Sequence, residues 1–189
     1  NNVNKYSSIS KKYELIESKD QLKKFLECCL DKTLISFDCE TNSLNAKTAD
    51  LVGISLSYEV GKACYIPLRH GQKLVDNQSD FNFENKKSYN QIHFEDAMEL
   101  LKPILEDMSI LKIGHNIKFD ALVIKQPHNG SINIDPIGDT MCLSYVVDPG
   151  RVESHKLDAL AMRELNHNTI QYEDVCGKGK NKILFNQLS

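Results

Sequence analysis

Three carboxylates and one amide stand where chemistry could be done. Asp38 and Glu40 end the apolar run of LISFDCETNSL (34–44), and Asn116 and Asp120 follow the apolar run ILKIG (110–114). Side chains two apart on a strand point to the same side, so Asp38 and Glu40 are neighbours whose charges repel. Asn116 and Asp120 are four apart and share a face if a helix opens there, with Phe119 beside them. If the two apolar runs form neighbouring strands, Asp120 converges on the acidic pair. Such a gathering is costly unless a hard divalent cation, Mg²⁺ or Mn²⁺, sits among the oxygens. Two such ions about 3.5–4 Å apart would clamp a phosphodiester, one activating a water and the other stabilising the leaving oxygen. Each half alone has a plainer reading. Acids at a strand exit are commonly solvated, Asn116 could merely cap a helix, and Asp120 suits the dipole of a first turn.

The elements that would position these groups are legible as patterns. A short strand is predicted over 13–16. Ser18 followed by Gln21 fits a capping box, and Leu22, Phe25, Leu26 and Cys29 then repeat at helical spacing. Residues 33–37 read as a buried strand. LVGISLSY (51–58) and ACYIPL (63–68) read as two more, joined by Glu59-Val60-Gly61-Lys62. Residues 70–92 are polar and without period, a long surface insert. A helix is predicted over 94–107, with Ala97, Leu100, Leu101 and Ile104 inward and a bend at Pro103. The strand 110–114 leads directly into another helix. DTMCLSYVVD and HKLDALAMREL are read as further helices, and VCGKGKNKILFNQLS as a loop with an unfinished element. Strands alternating with helices after a hairpin indicate an α/β fold, a mixed sheet packed between helices.

The chain has 189 residues, which suits one domain, with residues 1–12 as an N-terminal arm. Its 23 Lys and Arg against 26 Asp and Glu give a net charge of -3, which argues against coating duplex DNA. None of the six cysteines forms a C-x-x-C pair, so reduced core thiols in a cytosolic protein are expected. No signal peptide or membrane-spanning stretch is visible. The chain opens with Asn1 rather than Met, as a segment or a processed form would.

FDCETNSL and IGHNIKFD resemble the first two motifs of the DEDD 3′–5′ exonuclease superfamily. SFDCETNSLNAKTADLVGISLSY, KIGHNIKFDALVI, DTMCLSYVVDPGR and the stretch from Leu157 to Gln187 resemble the proofreading domain of bacterial DNA polymerase I. The resemblance implies a ribonuclease-H-like sheet of about five strands flanked by helices. It also implies two-metal hydrolysis of single-stranded DNA from its 3′ end to nucleoside monophosphates, in a cytoplasmic bacterial protein that is either a proofreading module with a C-terminal polymerase domain in its parent or a stand-alone relative. Carried over by position, Asp38, Glu40 and Asp120 are the catalytic metal-binding carboxylates. Thr41 meets the terminal nucleotide, Leu44 wedges between the last two bases, and Asn116 contacts the substrate backbone. His115 and Phe119, in the same motif as Asn116, join the substrate-binding set. Tyr172 stands where the family has an aromatic against the terminal nucleotide, a sequence-tolerant contact worth about 1–3 kcal/mol per base. Arg151, after Asp148-Pro149-Gly150, is a further candidate for a phosphate, as are Lys178, Lys180 and Lys182 of GKGKNK, against the plainer reading of a solvated basic loop.

The family's third motif, Y-x-x-x-D or H-x-x-x-x-D, supplies a fourth carboxylate, and it is expected beyond Ser189. His115 to Asp120 has the second spacing, but Asp120 already serves the preceding motif. Asp139 is expected to cap a helix, and His155 and Asp158 to lie at a solvated helix start. Two alternatives to a DNA exonuclease stay open: a domain that binds single strands or supports a polymerase without cutting, and an RNA exonuclease like ribonuclease D.

Overall fold

The computed structural model describes residues 9–71, 90–150, 154–179 and 182–188. Most of the insert (72–89), residues 1–8 of the arm, Arg151 and Lys180 lie outside the described residues.

Six strands form one mixed sheet in the order β1-β4-β3-β2-β5-β6. They are β1 (Lys12–Leu15), β2 (Leu34–Thr41), β3 (Leu51–Glu59), β4 (Lys62–Pro67), β5 (Leu111–Gly114) and β6 (Ile137–Asp139). β2, β3 and β4 run antiparallel, whereas β1, β5 and β6 join parallel to their neighbours. The expected sheet of about five strands gains β6, three residues (Ile137-Gly138-Asp139) too short to show a period. The first core strand also extends past Phe37 through both acids to Thr41.

Alternation along the central strands sorts the two faces. Phe37 pairs with Leu56, which pairs with Cys64, and Cys39 pairs with Ile54, which pairs with Ile66. These rows are buried and face the main core. One residue on, Asp38 lines up with Ser55 and Tyr65, and Glu40 with Gly53 and Pro67, so the acids occupy the opposite face.

α1 (Lys19–Leu30) starts at the expected capping box: Ser18 Oγ accepts from Gln21 N, and Gln21 Oε1 accepts from Ser18 N. It buries Leu22, Phe25, Leu26 and Cys29 and packs against α2 (Phe94–Leu105). α2 ends before Glu106, two residues short of the predicted end, and Pro103 lies inside it. Met98 and Leu105 are buried there, while Leu100 is only half-buried. α3 (Ile117–Ile124), α4 (Thr140–Val147), α5 (Leu157–Leu165) and the short α6 (Tyr172–Cys176) follow, with a 3₁₀ turn at Phe185–Gln187 where an unfinished element was expected. Despite its apolar sequence, α4 buries none of its residues among the described ones. The six cysteines carry free thiols, with Cys28 and Cys142 exposed rather than in the core. No helix among the described residues is long and apolar enough to cross a membrane.

One polar group is built into the sheet itself. Lys112, in the middle of β5, is fully buried, and its Nζ donates to the carbonyls of Asp107 (2.8 Å) and Asp135 (2.6 Å). Burial lowers its pKa, and the two carbonyls give the charge fixed partners where no water reaches. The side chain thereby ties the start of β5 to the segment leading into β6. Replacing it by Met leaves the Asp135 carbonyl unpaired and the Asp107 carbonyl with only the Ile110 N–H, so Lys112→Met is expected to lower stability by about 1–3 kcal/mol in urea unfolding. A loss under about 0.5 kcal/mol would refute this role.

Candidate active site

The acid corner is assembled by one hydrogen bond between distant parts of the chain. Asp120 Oδ1 accepts from the backbone N–H of Cys39 at 2.9 Å, across 81 residues of sequence. Cys39 lies between Asp38 and Glu40, so this bond carries the third carboxylate to the acidic pair. Asp120 is 4% exposed, not a solvated first-turn acid. α3 can approach β2 because Gly114 ends β5 without a side chain: a Cβ there would lie 2.8 Å from the Phe37 carbonyl and 3.1 Å from Ile117 Cβ. The tight passage from β5 to α3 depends on that missing atom.

Asn116 turns the chain into α3 in the left-handed conformation (φ 61°, ψ 35°), which Asn tolerates better than most residues. Its side chain makes no capping bond, so the capping role does not hold, and the amide is exposed. Its backbone N–H donates to Asp139 Oδ1 (3.0 Å), which also caps α4 by accepting from Met141 N and Cys142 N. Asp139 therefore fills the capping role expected of it and braces Asn116 as well.

Burial raises all three acids, and the neighbouring negative charges raise Glu40 and Asp120 further. Protein atoms crowd Asp38, which keeps one side open to solvent, and its carboxyl rises to about 6. Glu40 rises to about 7, through burial first and then the charges of Asp38 and Asp120. Asp120 rises to about 7 for the same reasons, although the Cys39 N–H pulls it down. The donor set is all oxygen, anionic, and fed by two chain segments, which fits a hard divalent cation. The side chains are not closed into a cage, however: among the described residues, no three His, Cys, Asp or Glu groups stand in coordinating geometry.

The other expected residues fall around this corner with different standing. Thr41 follows a bulge in β2, and its hydroxyl donates to Ser43 O (2.9 Å). Leu44 is 96% exposed on a loop braced by Asn42 and Asp50, whose side chains and backbones bond reciprocally at 2.8 and 2.9 Å. Tyr172 opens α6, half-exposed, and its phenol is pushed up first by the hydrogen bond with Cys176 and in smaller part by the charge of Glu40. Lys182 Nζ stands 5.0 Å over the Tyr172 ring, while Lys178 is engaged with Glu173 at 2.8 Å. His115 is committed to α4: Thr140 Oγ1 donates to Gly114 O, so His115 Nδ1 donates to Thr140 Oγ1 (3.0 Å). Phe119 packs partly against the core. His155 is not at a solvated helix start but buried, bonded to Ser144 Oγ at 2.8 Å and stacked on Tyr145 at 3.8 Å. Asp158 remains in the first turn of α5 and accepts from Thr169.

Sequence patterns did not single out Gly53, Tyr65 and His70. The available signal was the glycine inside a strand, which marks close approach of another group. Tyr65 Oη lies 2.0 Å from where a Gly53 Cβ would be, and Tyr65 and His70 Nε2 are hydrogen-bonded at 2.7 Å.

A mixed sheet flanked by helices, with carboxylates gathered from the central strand and from the helix after its parallel neighbour, defines the ribonuclease-H-like class of exonuclease folds. A family model described as 3′–5′ exonuclease matches residues 13–188, and the chain belongs to that family. It is 35% identical over 181 residues (94% of the chain) to DNA polymerase I of Pseudomonas aeruginosa, and 38% identical over 165 residues (80%) to that of Rhizobium leguminosarum. It spans only 18% and 15% of those relatives' lengths. Among solved structures, Escherichia coli RNase D, an exoribonuclease involved in structured RNA processing, aligns with a TM-score of 0.60 at 19% identity, covering 86% of this chain and 36% of that one. Brucella melitensis NrnC aligns with a TM-score of 0.55 at 20% identity, covering 87% and 64%.

The acid corner carries a pH signature. Raised carboxylates bind protons in the folded state that the unfolded chain has already released. Between the ordinary carboxylate range near 4 and the raised values near 7, stability therefore falls as pH rises. Asp120→Asn keeps an acceptor for Cys39 N and removes the charge. In metal-free buffer at pH 8 it is expected to add on the order of 2 kcal/mol, raising the thermal midpoint by about 4–8 °C. At pH 4 the gain should vanish, and equal midpoints at pH 8 would disprove the repulsion.

Proposed function

We propose that this domain is a two-metal 3′–5′ exonuclease acting on single-stranded DNA, of the proofreading type, spanning 1–189 as one unit. The observation that supports it best is the Asp120–Cys39 bond, which joins the third acid to Asp38 and Glu40. Mg²⁺ or Mn²⁺ would be held by Asp38, Glu40 and Asp120, and when bound would supply an activated water and charge neutralisation at the leaving oxygen. Asp38 and Glu40 orient their oxygens from the stiff end of a central strand. Asp120, pinned through its Oδ1, keeps its second oxygen for ligation. Leu44, projecting from a braced loop, parts the last two bases. Thr41, Asn116 and Tyr172 hold the terminal nucleotide and its backbone, and Arg151 is proposed as a phosphate contact. The partner is a 3′-terminal single strand, and a polymerase domain in the parent protein would supply it.

This chain contributes three of the four carboxylates that the resemblance implies. A misplaced water costs about 10²-fold in rate, so turnover by the isolated chain is expected to be slow. A second reading, binding without cleavage, is favoured by the open geometry of the acids.

The deciding experiment uses a 5′-labelled single-stranded oligonucleotide with Mn²⁺. A ladder shortening from the 3′ end, abolished in Asp38→Ala, is expected, with DNA cut faster than RNA of the same sequence. Retention of the oligonucleotide without shortening would establish the binding-only reading, and faster RNA cleavage would reassign the substrate. Leu44→Ala is expected to lower single-strand turnover about tenfold while Mn²⁺ affinity stays the same, since one stacked base contact is worth about 1–3 kcal/mol. Unchanged turnover would remove the wedge.

A further inference from the structure

On the acid face, two strands from β2, Tyr65 is arranged in a way that packing alone does not explain. Gly53 stands directly opposite Glu40 on β3, and the phenol fills the space its side chain would have taken. Opposed Cβ positions in an antiparallel pair are about 4.5–5.5 Å apart. Tyr65 Oη, only 2.0 Å from the would-be Gly53 Cβ, is therefore within roughly 7.5 Å of Glu40 Cβ. The negative charge of Glu40, after burial, holds the phenol's proton on, which agrees with that proximity.

The direction of the phenol's hydrogen bond follows from its partners. His70 Nδ1 is 3.3 Å from Leu188 O. A carbonyl can only accept, so Nδ1 carries the proton. Burial lowers the pKa of His70, which keeps the ring neutral, so Nε2 has a lone pair. Tyr65 must then donate to Nε2, at 2.7 Å. With its proton committed to His70, the phenol oxygen has only lone pairs left to offer. The histidine is itself held: Gln91 Oε1 accepts from its N–H (3.0 Å), Gln91 Nε2 donates to its carbonyl (3.2 Å), and the Phe185 ring packs against both Tyr65 and His70. Gly71 N donates to Asn186 O at 2.7 Å, fastening the 3₁₀ turn to the same unit.

We propose that Tyr65, oriented by His70, is a positioning residue of the acid corner: its phenol oxygen accepts a hydrogen bond from a water held at Glu40 and so fixes how that carboxylate and its cation are hydrated. The proposal rests on the metal-dependent reading above. Groups one step behind a metal ligand typically carry 10–100-fold in affinity. Tyr65→Phe keeps the ring over Gly53 and removes only the hydroxyl.

Mn²⁺ binding is followed by electron paramagnetic resonance at pH 7.5 in wild type, Tyr65→Phe, His70→Ala, the double variant and Asp38→Ala, with thermal midpoints in parallel. Tyr65→Phe is expected to weaken Mn²⁺ about tenfold with its midpoint little changed, and the double variant to bind no worse than the poorer single variant. Unchanged Mn²⁺ affinity in Tyr65→Phe, or losses that simply add, would overturn the positioning role while leaving the metal site standing. Wild-type binding that Asp38→Ala does not reduce would instead sink the metal reading, and this proposal with it. Nitrogen-15 spectra of His70 give a metal-free check: protonated Nδ1 with an accepting Nε2 is expected, and the opposite tautomer refutes the orientation.

Discussion

Everything at the acid corner hangs on a backbone amide. Cys39 N–H is the donor that holds the Asp120 side chain, from the helix after β5, beside two acids from β2. A buried carboxylate normally needs a cation or several donors. This one has a main-chain donor, and in exchange the protein accepts repulsion among three groups whose pKa values all rise. Stability is given up locally so that negative oxygens stand together, a familiar compromise where structure and chemistry compete.

The sheet makes that compromise affordable. Its other face buries Phe37, Cys39, Ile54, Leu56, Cys64 and Ile66 in continuous cross-strand rows. The same alternation that lines this core sends Asp38, Glu40, Ser55 and Tyr65 the opposite way. Two glycines then remove obstacles: Gly114 lets α3 close on β2, and Gly53 lets Tyr65 lie toward Glu40. Neither acts through a positive φ. Each acts through the absence of a Cβ where another group must pass.

Residues remote in sequence converge on the acid face for the same reason. The 3₁₀ turn near Phe185 reaches His70 and Gly71, and α6 brings Tyr172 within the electrostatic reach of Glu40. The C-terminal part of the described chain is thus folded back over the site side of the sheet. Asp139 shows how economically this is done, since one carboxylate caps α4 and steadies Asn116 at the start of α3.

Much of this was legible in the order of residues alone. The capping box at Ser18, the stripe of α1, the central strands and the acids at 38, 40 and 120 are local patterns, written in periods of 3.6 and 2 or in short motifs. The type of the longer helices and of the central strands therefore needed no coordinates. What needed them was pairing. β6 is too short for a period, the burial of His155 depends on a stack with Tyr145, and the Tyr65–His70–Leu188 chain joins residues over 100 apart. No sequence pattern states that Asp120 will accept from Cys39 rather than from water, because that choice is made by the approach of two elements. Local periodicity is encoded by neighbours along the chain, whereas a hydrogen bond across 81 residues exists only once the core has fixed the distance between them.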